Sequence, residues 1–273
     1  MKTFIKWMGN KSKHLNKFIN YIPNEYNTYI EPFVGSGAVF LKLNPKKWII
    51  NDLNKDLINI WKCVKKNPEE IIKNFKEFGK KFKRMSNKNK LKYCKDITDT
   101  IDDFSYNLDR ASTYMLMKYC VYMGNMLNHD KFFFSSLDAN IYVNNNYPFL
   151  KDVYYENILN VSEFLNNSKG NIYNKDYKDI LEKANEGDFV FLDPPYVKDY
   201  DFNYNKGEKL NNEFLKELLK EVKKLDNKKV KWMMTQADTK EIKNLFKEYK
   251  IRKMEVYRGY TKTYSNELII TNY

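Results

Sequence analysis

Tyr29-Ile30-Glu31-Pro32-Phe33-Val34-Gly35-Ser36-Gly37-Ala38-Val39-Phe40-Leu41 decides the fold class. A short apolar run reaches a proline and a Gly-Ser-Gly, and a second apolar run follows. That order predicts a strand, a tight turn and a helix, an arrangement in which a backbone lacking Cβ atoms can approach a nucleoside-bearing ligand closely. No third glycine and no Gly-Lys-Ser/Thr follow, so neither a full dinucleotide fingerprint nor a phosphate-binding loop is present. A bare structural turn is the plainer reading. Trp48-Ile49-Ile50-Asn51 predicts the next strand, and Asp52 stands at its tip. A carboxylate there suits ribose hydroxyls, and it equally suits capping a helix that begins near Leu53.

Further along, Asn171-Ile172-Tyr173-Asn174-Lys175-Asp176-Tyr177 reads as another strand ending in an acid and an aromatic. Asp176 can accept a hydrogen bond from an adenine amino group while Tyr177 packs on its ring; a capping aspartate beside a core tyrosine fits the residues as well. Phe189-Val190-Phe191-Leu192-Asp193-Pro194-Pro195-Tyr196-Val197 predicts a buried strand that delivers a carboxylate, two prolines and a ring to its end. Pro195 keeps Pro194 extended, and neither proline has an amide hydrogen. A carboxylate and a free carbonyl, each accepting one amino hydrogen, beside a ring that stacks, suit a flat amino-bearing heterocycle. Alternating strands and helices give an α/β class.

The 273 residues, 42% of them hydrophobic, suffice for a large core. Lys+Arg 48 against Asp+Glu 35 gives +13, which favours a polyanionic partner. Arginine occurs only at Arg84, Arg110, Arg252 and Arg258, so the charge is mostly lysine, which attracts phosphate but makes fewer bidentate base contacts. Cys63, Cys94 and Cys120 are odd in number and widely spaced, and His14 and His129 are the only histidines. A disulfide framework, a zinc cluster, a histidine triad and a multi-histidine metal site are therefore not expected. Met1-Lys2-Thr3-Phe4-Ile5-Lys6-Trp7 has no continuous apolar region, so no signal peptide or membrane span is read, and a soluble intracellular protein is expected.

Lys6-Trp7-Met8-Gly9-Asn10-Lys11 sets a glycine bend between an aromatic and lysines, where Lys11 can reach a carboxylate or phosphate or can lie on a solvated terminus. Between about Trp61 and Pro148 helical spacing dominates: Ile71, Ile72, Phe75, Phe78 and Phe82 share a face, and Lys80, Lys81, Lys83 and Arg84 cluster near its end. This stretch reads as an inserted, largely helical subdomain. Candidate nucleic-acid contacts are Arg84, Arg110, Lys118, Asn125, Lys131 and, in a loop after Tyr196, Tyr200. Arg110 is either a reader of guanine or the partner of a nearby acid at the surface.

Taken together, the motifs around Lys6–Lys11, Glu31–Gly37, Asn51–Asn54 and Asp193–Tyr196, with the closing Glu267–Tyr273, make the chain resemble the Dam-like DNA adenine-N6 methyltransferases. The resemblance implies a Rossmann-like core in two parts, 1–60 and 149–273, around a target-recognition domain at 61–148. It implies S-adenosylmethionine as donor and no metal. It also implies an adenine flipped from duplex DNA as acceptor, a monomer or weak dimer, and room for a cognate restriction endonuclease. Asp193, Pro194, Pro195 and Tyr196 would be catalytic. Trp7, Lys11, Glu31, Phe33, Gly35, Gly37, Asp52 and Asp193 would line the donor site, with Asp176 and Tyr177 on the donor's adenine. The insert departs from the family's pattern: Met123-Gly124-Asn125-Met126-Leu127-Asn128-His129-Asp130-Lys131-Phe132-Phe133 contains no arginine, so GATC specificity does not follow. Two alternatives remain, an RNA adenine-N6 methyltransferase and a catalytically silent nucleic-acid-binding subunit. Comparing duplex DNA with structured RNA as acceptor separates the first, and the intact Asp52 and Asp193 speak against the second.

Overall fold

The strand before the glycine turn, β1 (Tyr29–Glu31), lies inside a seven-stranded sheet and is buried along its whole length. The computed structural model describes residues 1–7, 9–101, 105–120, 127–128, 131–132, 147, 150–196, 212–258 and 263–273. Chain order runs from β1 through α1 (Ala38–Leu43), β2 (Lys47–Asn51), α2 (Lys55–Lys66), α3 (Pro68–Lys83), α4 (Asn87–Thr100) and α5 (Leu108–Cys120) to a short hairpin, β3 (Leu127–Asn128) and β4 (Lys131–Phe132). Then follow α6 (Asp152–Asn167), β5 (Lys169–Tyr173), α7 (Tyr177–Leu181), β6 (Phe189–Leu192), α8 (Asn212–Asn227), β7 (Lys231–Ala237), α9 (Lys240–Leu245), β8 (Lys250–Arg258) and β9 (Thr263–Thr271).

The sheet order is β5-β2-β1-β6-β7-β9-β8. The first five strands are parallel, β9 runs antiparallel to β7, and β8 runs antiparallel to β9. From β1 the chain winds outward through β2 to β5, then returns to the other side of β1 with β6. That reversal opens a crevice at the carboxyl ends of β1 and β6, where open parallel sheets bind ligands.

The β6 sequence shows how the layers form. Phe189 and Phe191 enter one hydrophobic cluster and Val190 and Leu192 enter the other, as period-two alternation in a strand covered on both faces requires. The second cluster is closed by α7, α8 and α9. The first runs without a break from the sheet through Trp61 of α2 to Phe75 and Phe82 of α3 and Tyr114 of α5. The helices of residues 61–120 therefore share a core with the sheet, and α2 itself crosses residue 61. Helix starts follow local chemistry: Asn54 caps α2 by accepting from the Leu57 amide at 2.9 Å, and Pro68 opens α3. Among the described residues no helix is long and apolar enough to cross a membrane.

The N-terminus is not a solvated tail. Phe4 is fully buried, edge-on to Trp61 with ring centroids 4.7 Å apart, and this packing carries the following lysine segment into the crevice.

Candidate active site

The glycine turn is held from three sides. Gly35 and Gly37 take φ of 48° and 69°, left-handed values that side chains with a Cβ rarely adopt. A Cβ on Gly37 would come within 2.6 Å of the Trp61 ring, and one on Gly35 would press the Trp7 indole at 3.2 Å. Trp61 in turn donates its indole N–H to the Gly35 carbonyl at 3.1 Å. The Gly35 amide donates to Asp52 Oδ2 at 3.0 Å, while Asp52 Oδ1 accepts from the Asn54 amide at 2.9 Å. Asp52 thus braces the turn as well as standing beside it. Burial pushes its carboxyl up to about 6 against the opposing effect of those amides.

Asn51, last residue of β2, ties together three strand ends. Its Nδ2 donates to the Pro32 and Lys175 carbonyls, each at 3.0 Å, and its Oδ1 accepts from the Lys175 amide at 2.9 Å. Asn174 adds bonds to the carbonyls of Asp52 and Leu53. The loops after β1, β2 and β5 are therefore tied into one rim.

Across the crevice, Asp193 leaves the end of β6. Lys11 donates to its Oδ1 at 2.8 Å and Thr235 of β7 donates to the same oxygen at 2.5 Å. Among the described residues both side-chain bonds of Asp193 fall on Oδ1, which leaves Oδ2 to accept from a ligand. Burial raises the Asp193 pKa, and Lys11 and Thr235 oppose the rise. The Lys11 ammonium also sits 4.8 Å from the centre of the Tyr196 ring. Tyr196 in turn donates to Glu267 Oε2 of β9 at 2.8 Å. Pro194 is buried and Pro195 half-buried between these anchors.

Glu31 is buried and accepts from the Tyr29 hydroxyl at 2.7 Å; burial holds its pKa well above the ordinary carboxylate range, and Asp193 and Asp52 push it the same way. Asp52 and Asp193 set carboxyl groups on the two sides of one crevice, an arrangement suited to a ligand that carries positive charge. Phe33 lies tilted against Tyr177 with ring centroids 5.3 Å apart, the Tyr177 ring is packed edge-on against Phe214, and Asp176 caps α7 by accepting from the Lys178 amide at 2.9 Å. For this pair the structure shows the capping acid and the core tyrosine.

Two expected nucleic-acid contacts lie inside the protein. Arg110 is 2% exposed: it grips Asp56 through Nε at 2.5 Å and Nη2 at 3.1 Å and also donates to the Ile101 carbonyl. It is a buried partner of α2, neither a base reader nor half of a surface pair. Lys118 is buried as well, 4.5 Å from the Trp7 ring centre, and burial lowers its pKa to about 7. It supports the wall of the crevice and cannot serve as a surface phosphate contact. Arg84 is exposed at the end of α3 beside Lys80, Lys81 and Lys83, as expected. Lys131 lies on β4 of the short hairpin, and Asn125 and Tyr200 lie outside the described residues.

Thr235, Glu267, Trp61 and the clasping role of Asn51 escape the sequence reading. Glu267 carried a signal, an acid leading the apolar run Leu268-Ile269-Ile270, and Thr235 lies within β7, the strand adjacent to β6.

A family model described as D12 class N6 adenine-specific DNA methyltransferase matches residues 7–259. The type II methyltransferase M1.LlaDCHI of Lactococcus lactis subsp. cremoris is 31% identical over 286 residues, covering 100% of this chain and 96% of its own length. The type II methyltransferase M.MjaIII of Methanocaldococcus jannaschii is 28% identical, with 87% and 84% covered. A DNA adenine methylase of Haemophilus influenzae is 43% identical over 28% of this chain and 26% of its own.

Proposed function

Because the chain belongs to the D12 class of N6 adenine-specific DNA methyltransferases, we propose that it transfers a methyl group from S-adenosylmethionine to the N6 amino group of an adenine turned out of duplex DNA. The observation that carries this reading is Asp193: a carboxylate fixed through one oxygen by Lys11 and Thr235, with the other oxygen available, at the switch point of the sheet.

When bound, S-adenosylmethionine supplies a methyl group made electrophilic by a sulfonium. The acids around the glycine turn suit that positive charge, and Asp52 suits a sugar hydroxyl, so the residues present fit such a donor. Trp7, Gly35, Gly37, Asp52 and Phe33 would hold it. An adenine amino group is a poor nucleophile because its lone pair is spread into the ring. Asp193 Oδ2 and the Pro194 carbonyl, each accepting one amino hydrogen, favour the geometry in which that pair is directed outward, and they stabilise the charge that develops on nitrogen. The raised proton affinity of Asp193 makes it a competent acceptor for the proton the amine then loses. Tyr196 offers a face for the base, offsetting part of an unstacking cost on the order of a few kcal/mol. No covalent enzyme nucleophile is needed.

We assign target recognition to the segment between α2 and α6, with the exposed basic end of α3 on the phosphates, and a cognate endonuclease sharing the same target sequence as a partner. The test is Asp193→Asn, which keeps the shape of the side chain, with plasmid DNA as methyl acceptor: turnover falls by at least about a hundredfold while a melting curve shows the protein still folded. Near-normal turnover would refute the reading.

A further inference from the structure

The last pairing of β9 with β7 joins Glu267 to Ala237, yet β8 and β9 stay paired out to Arg258 and Thr263. Residues 263–266 therefore carry the hairpin about 13 Å past the sheet, at roughly 3.3 Å per residue. The direction is set by β7, whose Thr235 holds Asp193, so the projection stands on the catalytic edge. On it Tyr257 and Tyr264 face each other directly across the two strands, rings 5.2 Å apart, 45% and 67% exposed. At its root, three residues from Tyr264, Glu267 holds the Tyr196 hydroxyl.

We propose that this tyrosine pair is a contact surface for the DNA flanking the target adenine, resting on the function assigned above. A cross-strand aromatic pair steadies a hairpin, but that role is met by the rings touching each other and does not call for so much ring surface in water. Whatever duplex brings an adenine to Asp193 must lie across this edge, where Glu267, the anchor of Tyr196, stands about 10 Å from Tyr264 along β9 at roughly 3.3 Å per residue. Aromatic faces contact bases and sugars without regard to sequence, and phenolic hydroxyls donate to phosphates. The same face of β8 carries Lys253 and Glu255, both exposed, and Lys253 already pairs with Asp238 at 3.7 Å, so the face offers phosphates no net positive charge. Ring contact, not ion pairing, is therefore the mode, and this separates the hairpin from the lysines of α3.

The experiment compares the unmodified protein with Tyr257→Ala/Tyr264→Ala and Tyr257→Phe/Tyr264→Phe. The probe is a fluorescein-labelled duplex carrying the sequence that the protein methylates in plasmid DNA. The alanine pair raises the Kd about tenfold, leaves the salt slope and the donor KM unchanged, and keeps its melting temperature to within what a lost cross-strand pair costs. The phenylalanine pair stays within about threefold of the unmodified protein, since the ring face is kept. A Kd for the alanine pair equal to that of the unmodified protein, or a loss accompanied by a lower salt slope, would overturn the proposal. Absence of adenine methylation by the unmodified protein would instead overturn the function on which it rests.

Discussion

Thr235→Val tests whether Asp193 works because it is held. Thr235 is fully buried, and valine replaces the hydroxyl with a methyl of similar size, so the change deletes a bond without opening a cavity. The bond lost is 2.5 Å long and made to a carboxylate. Hydrogen bonds to charged groups contribute about 1.5–3 kcal/mol, which at ~1.4 kcal/mol per decade corresponds to a loss of roughly 10- to 150-fold in kcat if the whole contribution serves the transition state. Lys11 still pairs with Asp193, so the fold survives and a melting curve verifies it. The pH profile gives an independent reading. Burial raises Asp193, and Lys11 and Thr235 pull it down; deleting Thr235 removes one lowering influence. The carboxylate then protonates at higher pH, and the acid limb of kcat moves toward neutrality. Single-turnover methyl transfer at saturating donor and DNA, measured from pH 5 to 8, reports both effects. A rate within about threefold of the unmodified protein, with the acid limb unmoved, would show that Thr235 does not position the carboxylate.

Arg110→Ala leaves Asp56 buried without its partner and lowers stability by about 3–5 kcal/mol, read from urea unfolding; a loss below about 1 kcal/mol would contradict the buried pairing. Donor affinity follows Asp52, which burial raises to about 6: the carboxylate is ionised above that pH and neutral below it. Calorimetry should therefore show affinity falling by up to about tenfold per unit as pH drops below 6, and Asp52→Asn should flatten that dependence. A pH-independent affinity in the unmodified protein would mean that Asp52 does not touch the donor.

The strand, glycine turn and helix around Gly35 and the carboxylate at Asp193 were legible because local sequence alone imposes them: glycines where φ is positive, an apolar run ended by prolines. The resemblance drew the separate motifs to one crevice, and the strand order explains why they meet there. Long-range partners were not legible. Nothing in the spacing of Arg110 indicates that Asp56, 54 residues earlier, will face it in the interior, and a lone arginine among lysines reads naturally as a surface group. Lys118 misled in the same way. Thr235 and Glu267 acquire their roles only once β7 and β9 line up beside β6, a consequence of sheet order that no window of sequence contains.

The grip of Arg110 on Asp56 also governs where this chain tolerates recombination with its relatives. A splice at residue 61 would cut α2 in mid-helix and separate the inheritance of the two charges, so that any incoming segment lacking the arginine strands a buried acid. A splice placed after α5 and before α6 exchanges the intervening residues while both charges, the Trp61 prop and the rim clasped by Asn51 come from one parent. Any exchange confined between those two helices then keeps the buried ion pair and the crevice rim as a matched set.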